Sequence, residues 1–168
     1  LLSEMKKITD EKIEMVFNTH HHSDHTAGNI VLKDLCKKFV AHENSLINQR
    51  NAATAKNELD KIQLPNITFK EDYKTKLGSE NIKAYYFGAA HTNGDAIIHM
   101  EESNVAHIGD LVFNRRFPYI DKGAGANIQN WVLALDKVKS TFDNDTIMLC
   151  GHAGQDYDVV INKNDISA

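Results

Sequence analysis

The chain has 168 residues, of which 42% are hydrophobic and 25% charged, and its formal net charge at pH 7 is -4. This composition predicts one globular domain over residues 1–168, with enough apolar side chains for a single core. The negative charge gives no reason to expect a nucleic acid or an anionic membrane surface as partner, and no stretch approaches the roughly 20 apolar residues of a membrane span. The two cysteines could pair only once and indicate no disulfide framework.

Predicted helices and strands alternate along the first part of the chain. Leu2, Met5 and Ile8, together with Leu1, would share one face of a short charged helix, and residues 13–19 suggest a strand. Asn29 is expected to cap a helix whose apolar residues continue in the i, i+3, i+4, i+7 pattern. A strand over residues 39–42 and a solvent-exposed polar helix over residues 45–61 would follow.

From residue 65 onward the pattern favours strands. Five strands are predicted, over residues 66–70, 73–77, 82–87, 96–100 and 105–108. Asn127 is expected to cap a helix over residues 128–138, and two more strands would cover residues 146–149 and 157–162. Strands and helices mixed in this way, without a nucleotide-binding glycine motif, indicate an α/β domain built in layers (α+β by layers).

The most informative motif is His20-His21-His22-Ser23-Asp24-His25, in which the spacing is His-x-His-x-Asp-His. Imidazole and carboxylate groups are the ligands that hold zinc and similar divalent metals. Three further candidate ligands, His91, Asp110 and His152, each follow a predicted strand. Four separate segments could therefore deliver metal ligands to one rim of the domain.

In the order of these motifs the chain resembles the metallo-β-lactamase superfamily, from about Lys12 to about Gly154. The resemblance implies a metallo-β-lactamase-like αββα sandwich. Members of that family have more strands ahead of the His-x-His-x-Asp-His motif, and more structure after the last histidine, than this chain does. The sandwich is therefore expected to be incomplete, with its first strands missing. The unpaired sheet edge left behind would favour a homo-oligomer. The matching phrases are Asn18-Thr19-His20-His21-His22-Ser23-Asp24-His25, the isolated His91, Gly109-Asp110-Leu111 and Gly151-His152.

The resemblance also implies two adjacent divalent metal ions, with zinc expected first and iron or manganese as alternatives. Asp24 could act catalytically as well, by orienting a metal-bound hydroxide and accepting its proton. The implied ligands form two sets and a bridge: His20, His22 and His91 for the first metal, Asp24, His25 and His152 for the second, and Asp110 between them.

Hydrolysis is the reaction that the two implied metal ions and their ligands indicate. A hydroxide shared by the two metals would attack an ester, thioester, lactam or phosphoester, while the metals stabilise the developing oxyanion. The pairing of His25 with a bridging Asp110 is more similar to the glyoxalase II branch than to the zinc β-lactamases, which typically place Cys at that position or lack the bridging carboxylate. Three alternatives stay open: a zinc β-lactamase proper, a non-hydrolytic metal-binding or oxidoreductase member, and an inactive fragment.

The loop after Asp110 is where contacts with a small-molecule substrate are expected. Asn114, Arg115, Arg116 and Phe117 combine cationic and aromatic groups, which would suit an anionic or partly apolar substrate. The alternative is a solvated connection whose arginines only neutralise nearby acids.

The remaining histidines and Cys150 are interpreted as structural. His42, His99 and His107 lie outside the motif. His21 would point away from its two neighbours if the local backbone is extended, because alternate residues then face opposite sides. Cys150 lies inside an apolar run, where a free cysteine packs as a small hydrophobe.

Overall fold

In the computed structural model, which describes residues 2–166, the chain forms two β-sheets with helices packed on them. No helix in this part of the chain is long and apolar enough to cross a membrane. The helices are α1 (Leu2–Met5), α2 (Ser23–Thr26), α3 (Asn29–Leu32), α4 (Glu43–Ala55) and α5 (Ile128–Thr141). The strands are β1 (Val16–Phe17), β2 (Phe39–His42), β3 (Ile67–Phe69), β4 (Asp72–Leu77), β5 (Glu80–Tyr86), β6 (Ala96–Met100), β7 (Val105–Asn114), β8 (Ile147–Ala153) and β9 (Val160–Ile161).

The two sheets differ in strand direction. The first contains β1, β2 and β3 in that order, and all of its strands are parallel. The second contains β4 to β9 in chain order, and its neighbours are antiparallel except for β7 and β8. Because two parallel neighbours need a crossover connection, α5 lies between β7 and β8 in the chain.

Two hydrophobic clusters define the order of the layers. Between the sheets, Val40 and Phe69 of the first sheet pack with Ile98 of the second. On the other side of the second sheet, Trp131 and Val138 of α5 belong to a separate buried cluster. Helix α4 contacts β2 and β3 of the first sheet. The order helix, sheet, sheet, helix confirms the predicted αββα fold class.

The first 35 residues differ from the sequence prediction in three places. Helix α1 ends at Met5, so Ile8 is not on its face and is 87% exposed, and Leu1 lies outside the described residues. The strand expected over residues 13–19 is limited to Val16–Phe17. Asn29 does not cap α3, because Gly28 is the capping residue and the Asn29 side chain is buried, where it exchanges hydrogen bonds with Asn18.

Helix α4 has a buried side that its weak apolar pattern did not predict. Ser45, Gln49 and Ala53 recur every four residues and are buried. Gln49 Nε2 donates hydrogen bonds to Ser45 Oγ and to Asn18 Oδ1. Small and amide side chains therefore pack this helix against the chain that leads into the His-x-His-x-Asp-His motif, and a hydrophobicity pattern does not detect them.

Strands β7 and β8 are longer than predicted, and this changes where two of the candidate ligands lie. Asp110 and His152 are inside these strands and not beyond their ends. The register between the two strands shifts on both sides of Gly109, whose φ of +54° is in the left-handed region. Such an irregularity re-aims the next side chain while the strand continues.

Candidate metal centre

The seven candidate ligands converge at one cleft of about 450 Å³. Residues 20–25 follow β1, His91 lies in the connection from β5 to β6, and Asp110 and His152 lie in the neighbouring strands β7 and β8. His22, Asp24, His91, Asp110 and His152 line the cleft. The structure thus brings together the four segments that the sequence predicted to meet, and their role as metal ligands stays a prediction.

Three imidazoles of the first set face one another. His22 Nδ1 lies 3.0 Å from His20 Nε2 and 3.0 Å from His91 Nε2. Asp110 Oδ2 lies 3.8 Å from His20 Nε2 and 3.3 Å from His91 Nε2. One ligand atom from each of these four residues lies within 4.8 Å of all the others. Three imidazole nitrogens and one carboxylate oxygen are a donor set that suits zinc.

The second set lies on the other side of Asp110. Asp24 Oδ2 lies 3.4 Å from His25 Nε2 and 3.1 Å from His152 Nε2. Asp110 Oδ1 lies 3.1 Å from His25 Nε2, and Asp110 Oδ2 lies 3.3 Å from His152 Nε2. The carboxylate of Asp110 therefore contacts both histidine sets, which is the position that a ligand shared by two metals must occupy.

Hydrogen bonding and burial in the cleft fit a bound cation. Asp110 Oδ1 is buried and has no hydrogen-bond partner among the described residues, although His25 is near it. An unsatisfied buried polar atom costs about 1–3 kcal/mol, more if charged, and a cation at this point would satisfy it. Burial lowers the pKa of His20 and of His91, so both rings are neutral at pH 7, as metal ligation requires.

Asp110 and His25 shift each other's pKa beside these neutral rings. Burial alone would raise the pKa of Asp110, but the nearby His25, His91 and His152 outweigh it and lower that pKa. Burial would likewise lower the pKa of His25, but Asp110 and then Asp24 outweigh it, and the pKa is raised. Asp110 is consequently a carboxylate at neutral pH, which is the form that binds a metal.

The ring nitrogens of the histidines that face away from the cleft have partners of their own. His91 Nδ1 lies 2.7 Å from the carbonyl oxygen of Tyr119, and His22 Nε2 lies 2.8 Å from Asp121 Oδ2. Thr19 Oγ1 lies 3.2 Å from His20 Nδ1 and 3.4 Å from His25 Nδ1. A carbonyl or carboxylate that accepts from one ring nitrogen fixes the tautomer and leaves the other nitrogen free for a metal.

Asp121 is a residue of the site that the sequence analysis missed. It follows Asp110 by eleven positions and has no motif around it, so only the fold places it beside His22. It also corrects the expectation for His21. The chain bends at residues 19–21, His21 Nε2 lies 3.6 Å from Asp121 Oδ2, and the rings of His21 and His22 are 4.4 Å apart. His21 therefore lies beside His22 and does not point away from it.

The four predicted substrate contacts separate into two pairs. Arg116 and Phe117 line the metal cleft, and the Phe117 side chain is 98% exposed at its mouth. Asn114 donates a hydrogen bond to the carbonyl oxygen of Asp158, and the Arg115 guanidinium lies 5.9 Å from the ring centre of Tyr157. Asn114 and Arg115 are thus held away from the metal cleft, because the left-handed backbone at Arg115, with φ of 53°, turns the chain there.

The other residues that were interpreted as structural have structural surroundings. His42 caps α4 by accepting from the Asn44 amide, and its other ring nitrogen lies 2.9 Å from the carbonyl oxygen of Lys70. His99 packs against Phe142, and His107 Nδ1 accepts from the amide of Gly109. Cys36 and Cys150 are both buried and free.

One glycine leaves room for Asp110 and another for Thr19. A Cβ atom on Gly151 would overlap Asp110 Oδ1, and one on Gly109 would lie 2.8 Å from Thr19 Cβ. Gly151 is in β8 beside β7, so the absence of a side chain there is what allows the Asp110 carboxylate to sit between the two histidine sets.

We expect Gly151→Ala to weaken metal binding without removing any ligand. The new methyl group must displace the Asp110 carboxylate, and a misplaced supporting group typically weakens metal affinity by about 10- to 100-fold. Zinc affinity can be measured by competition with a chromophoric chelator. Gly28→Ala is the matched control, because a Cβ there meets nothing within 4 Å. Equal zinc affinity in the two variants would contradict this account of Gly151.

Asp95 is a second acid that the sequence analysis did not assign. It is buried, and its two oxygens accept from the amide and the hydroxyl of Thr92, at 2.8 and 2.7 Å. These bonds hold the turn that directly follows His91. Burial raises the pKa of Asp95 to about 7, against the lowering effect of the Thr92 hydrogen bonds, and the charge of Asp110 adds to the rise.

The raised pKa of Asp95 predicts a pH dependence of stability. Between the ordinary value of 3.8 and about 7, folded Asp95 binds more protons than unfolded Asp95, so its contribution to stability is lost as pH rises through this window. Asp95→Asn mimics the protonated acid. In metal-free protein we expect the melting temperature of Asp95→Asn to gain on the wild type between pH 5 and pH 8. Asp136→Asn, at an exposed position of α5, should show no such trend. A pH-independent difference for Asp95→Asn would exclude this titration.

Sequence comparison finds one matching family model and several similar proteins. The Lactamase_B profile, which describes the metallo-beta-lactamase superfamily, matches residues 3–152. Metallo-beta-lactamase IND-1 of Chryseobacterium indologenes is 24% identical over 155 residues, which are 90% of this chain and 60% of that protein. A hydroxyacylglutathione hydrolase of Pelagibacter ubique is 28% identical over 151 residues, 88% of this chain and 56% of that protein. The chain spans roughly half to three fifths of the length of these relatives.

Solved structures show the same fold at low sequence identity. A metallo-beta-lactamase from Pontibacter korlensis superposes with a TM-score of 0.76 at 18% identity, over 97% of this chain and 70% of that one. DIM-1 metallo-beta-lactamase gives a TM-score of 0.72 at 20% identity, over 97% of this chain and 68% of that one.

Proposed function

The chain belongs to the metallo-β-lactamase superfamily, and we propose that it hydrolyses an ester, thioester or lactam carbonyl with the help of two divalent metal ions. The observation that carries this proposal is the position of Asp110, whose carboxylate oxygens contact histidines of both sets. Relatives that are named as metallo-beta-lactamases and as hydroxyacylglutathione hydrolases support hydrolysis as the general reaction.

Seven side chains would hold the two metals. When bound, two divalent cations would supply a nucleophilic water at neutral pH and polarise the substrate carbonyl. Zinc is the metal we propose, since imidazole is the main donor in both sets. The first set would be His20, His22 and His91, the second Asp24, His25 and His152, and Asp110 would be shared.

Asp24 is the residue that we propose as proton acceptor. Both acids line the cleft, but the side chain of Asp24 is 53% exposed whereas that of Asp110 is buried, so Asp24 is the more accessible of the two. Asp24 Oδ2 lies between His25 and His152, at 3.4 and 3.1 Å. A carboxylate in this place can orient an attacking water and take its proton at Oδ2.

Arg116, Phe117 and Tyr119 also line the cleft. Arg116 has no ion-pair partner within the described part of the chain. We propose that its guanidinium binds a carboxylate of the substrate, and that the exposed aromatic rings contact an apolar portion.

Thioester hydrolysis is the first candidate reaction and β-lactam hydrolysis the second. A carboxylate at position 110, with its oxygens near both sets, favours the first, as the sequence resemblance to the glyoxalase II branch does. The second candidate rests on the named β-lactamases among the relatives.

A substrate panel tests the proposal. Zinc-loaded protein is assayed with an acyl-glutathione thioester, p-nitrophenyl acetate and nitrocefin, before and after chelation, and alongside His20→Ala. We expect turnover that is lost on chelation, restored by zinc and absent in His20→Ala. Redox-active iron in the purified protein, without hydrolysis of any of the three substrates, would contradict it.

A further inference from the structure

A second cavity, of about 430 Å³, lies between β7 and α5 beside the metal cleft, with which it shares Phe113 and Arg116. A cavity of this volume is within the range that binds small organic molecules. Most of its lining is apolar, and part of it belongs to exposed residues of α5, which leave the groove open to solvent. The apolar lining includes Leu111, Pro118, Ile120, Ile128, Trp131 and Val132.

One stretch of chain separates this groove from the metal cleft. Along residues 117–121, Phe117, Tyr119 and Asp121 line the metal cleft, whereas Pro118 and Ile120 line the groove. The side chains of this stretch therefore alternate between the two cavities. We call residues 117–121 the partition segment.

The lining of the groove includes two arginines. Arg115 and Arg116 both line it, and neither forms an ion pair with any acid among residues 2–166. Arg115 contacts only the face of the Tyr157 ring, at 5.9 Å. Asp165 also lines the groove, but its Oδ2 accepts from the Asn162 amide within a capping box. Two arginines and one aspartate line the groove, so its charged lining residues sum to a positive charge.

We propose that this groove binds a small amphipathic carboxylate, with a hydrocarbon or aryl body between β7 and α5 and its carboxylate at Arg115, which lines the groove but not the metal cleft. The apolar lining fits the body, because burying it removes apolar surface of both partners from water. The Arg115 guanidinium fits the head group, since it can bind a carboxylate through two parallel hydrogen bonds. This binding site does not depend on the proposed hydrolase activity.

Occupancy of the groove is linked to the metal centre through the partition segment. The carbonyl oxygen of Tyr119 pairs with His91, and the carboxylate of Asp121 pairs with His22. A ligand that moves Pro118 or Ile120 also moves Tyr119 and Asp121, because the four residues alternate along the partition segment. By linkage, zinc must then change the affinity for the carboxylate by the same factor as the carboxylate changes the affinity for zinc. This linkage between groove and zinc rests on the proposed metal site.

Displacement of 8-anilinonaphthalene-1-sulfonate by decanoate tests the binding site, with the fluorescence of the full chain as readout. Val132→Glu places a negative charge in the groove at a position that is 51% exposed, and we expect it to weaken decanoate binding at least tenfold. Leu133→Glu is the matched control, since Leu133 is 57% exposed on the same helix and does not line the groove. Arg115→Gln should also weaken decanoate binding, and should leave the binding of decanol unchanged.

These experiments test two claims separately: that the groove binds the carboxylate, and that this binding is linked to zinc. If decanoate does not displace the probe, the groove is not the site. The same holds if Val132→Glu and Leu133→Glu bind decanoate equally while both variants have the melting temperature of the wild type. Decanoate that binds only zinc-loaded protein, and is insensitive to Val132→Glu, sits on the metal and overturns the proposal. Groove binding with the same affinity in zinc-free and zinc-loaded protein would overturn the linkage alone, and failure of the hydrolase assay would overturn neither statement.

Discussion

Asp110→Asn is expected to hold at most one equivalent of zinc and to lose hydrolytic kcat/KM by about 100- to 1000-fold, the range seen when one preorganised electrostatic group is removed. The Asp110 carboxylate contacts His25, His91 and His152 within 3.3 Å, so both histidine sets lose a negative partner at once. Asparagine keeps the volume of the side chain in this buried position. The lower zinc content and the lower kcat/KM should therefore result from the removed charge and not from a new cavity.

Metal analysis after gel filtration measures the stoichiometry, and the thioester assay measures kcat/KM. Asp136→Asn makes the same chemical change at an exposed position of α5 and should match the wild type in both. Circular dichroism of both variants establishes that the fold is kept. Two equivalents of zinc together with unchanged kcat/KM in Asp110→Asn would remove the bridging role.

Removal of both metals is expected to lower the melting temperature by about 10–20 °C. The candidate ligands come from four segments that meet only in the folded chain, so metal binds the folded state in preference to the unfolded state. Each ion at 100 times its Kd would stabilise the fold by about 2.7 kcal/mol. In a domain of 150–250 residues, 1 kcal/mol changes the melting temperature by about 2–4 °C.

Differential scanning fluorimetry in zinc and in excess chelator measures this shift. His20→Ala should shrink the zinc-dependent part of the melting temperature, whereas His99→Gln, which changes a histidine packed against Phe142 away from the cleft, should keep it. A melting temperature that does not change when metal analysis shows complete removal would mean that the seven side chains are held together by the fold alone.

Much of the site could be predicted from the sequence because its ligands are chemically distinctive. Four of the seven lie within six residues, His20–His25, and the other three follow in a fixed order. Alternating apolar residues likewise predicted β4, β5 and β6 closely, and the Asn127 cap predicted where α5 begins, since its side chain accepts from the Asn130 amide. Local patterns sufficed for these elements, in which apolar residues mark the face that meets the core.

The features that the sequence did not predict depend on contacts between distant parts of the chain. Asn29 has the residue type of a helix cap, yet its amide pairs with Asn18 inside the protein. Asp121 and Asp95 became recognisable as parts of the site only when the fold placed them next to His22 and Thr92. Of the two arginines only Arg116 lines the metal cleft, and the positive φ at Arg115, where the chain turns, is not indicated by side-chain type.

The central claim is a two-metal centre whose shared ligand is Asp110, and anomalous diffraction at the zinc edge from crystals of the zinc-loaded protein tests it most directly. We predict two peaks about 3.5–4 Å apart, one among His20, His22 and His91 and the other among Asp24, His25 and His152, with Asp110 between them. A single peak, or a peak at the His21, His22 and Asp121 cluster in place of these two, would contradict it.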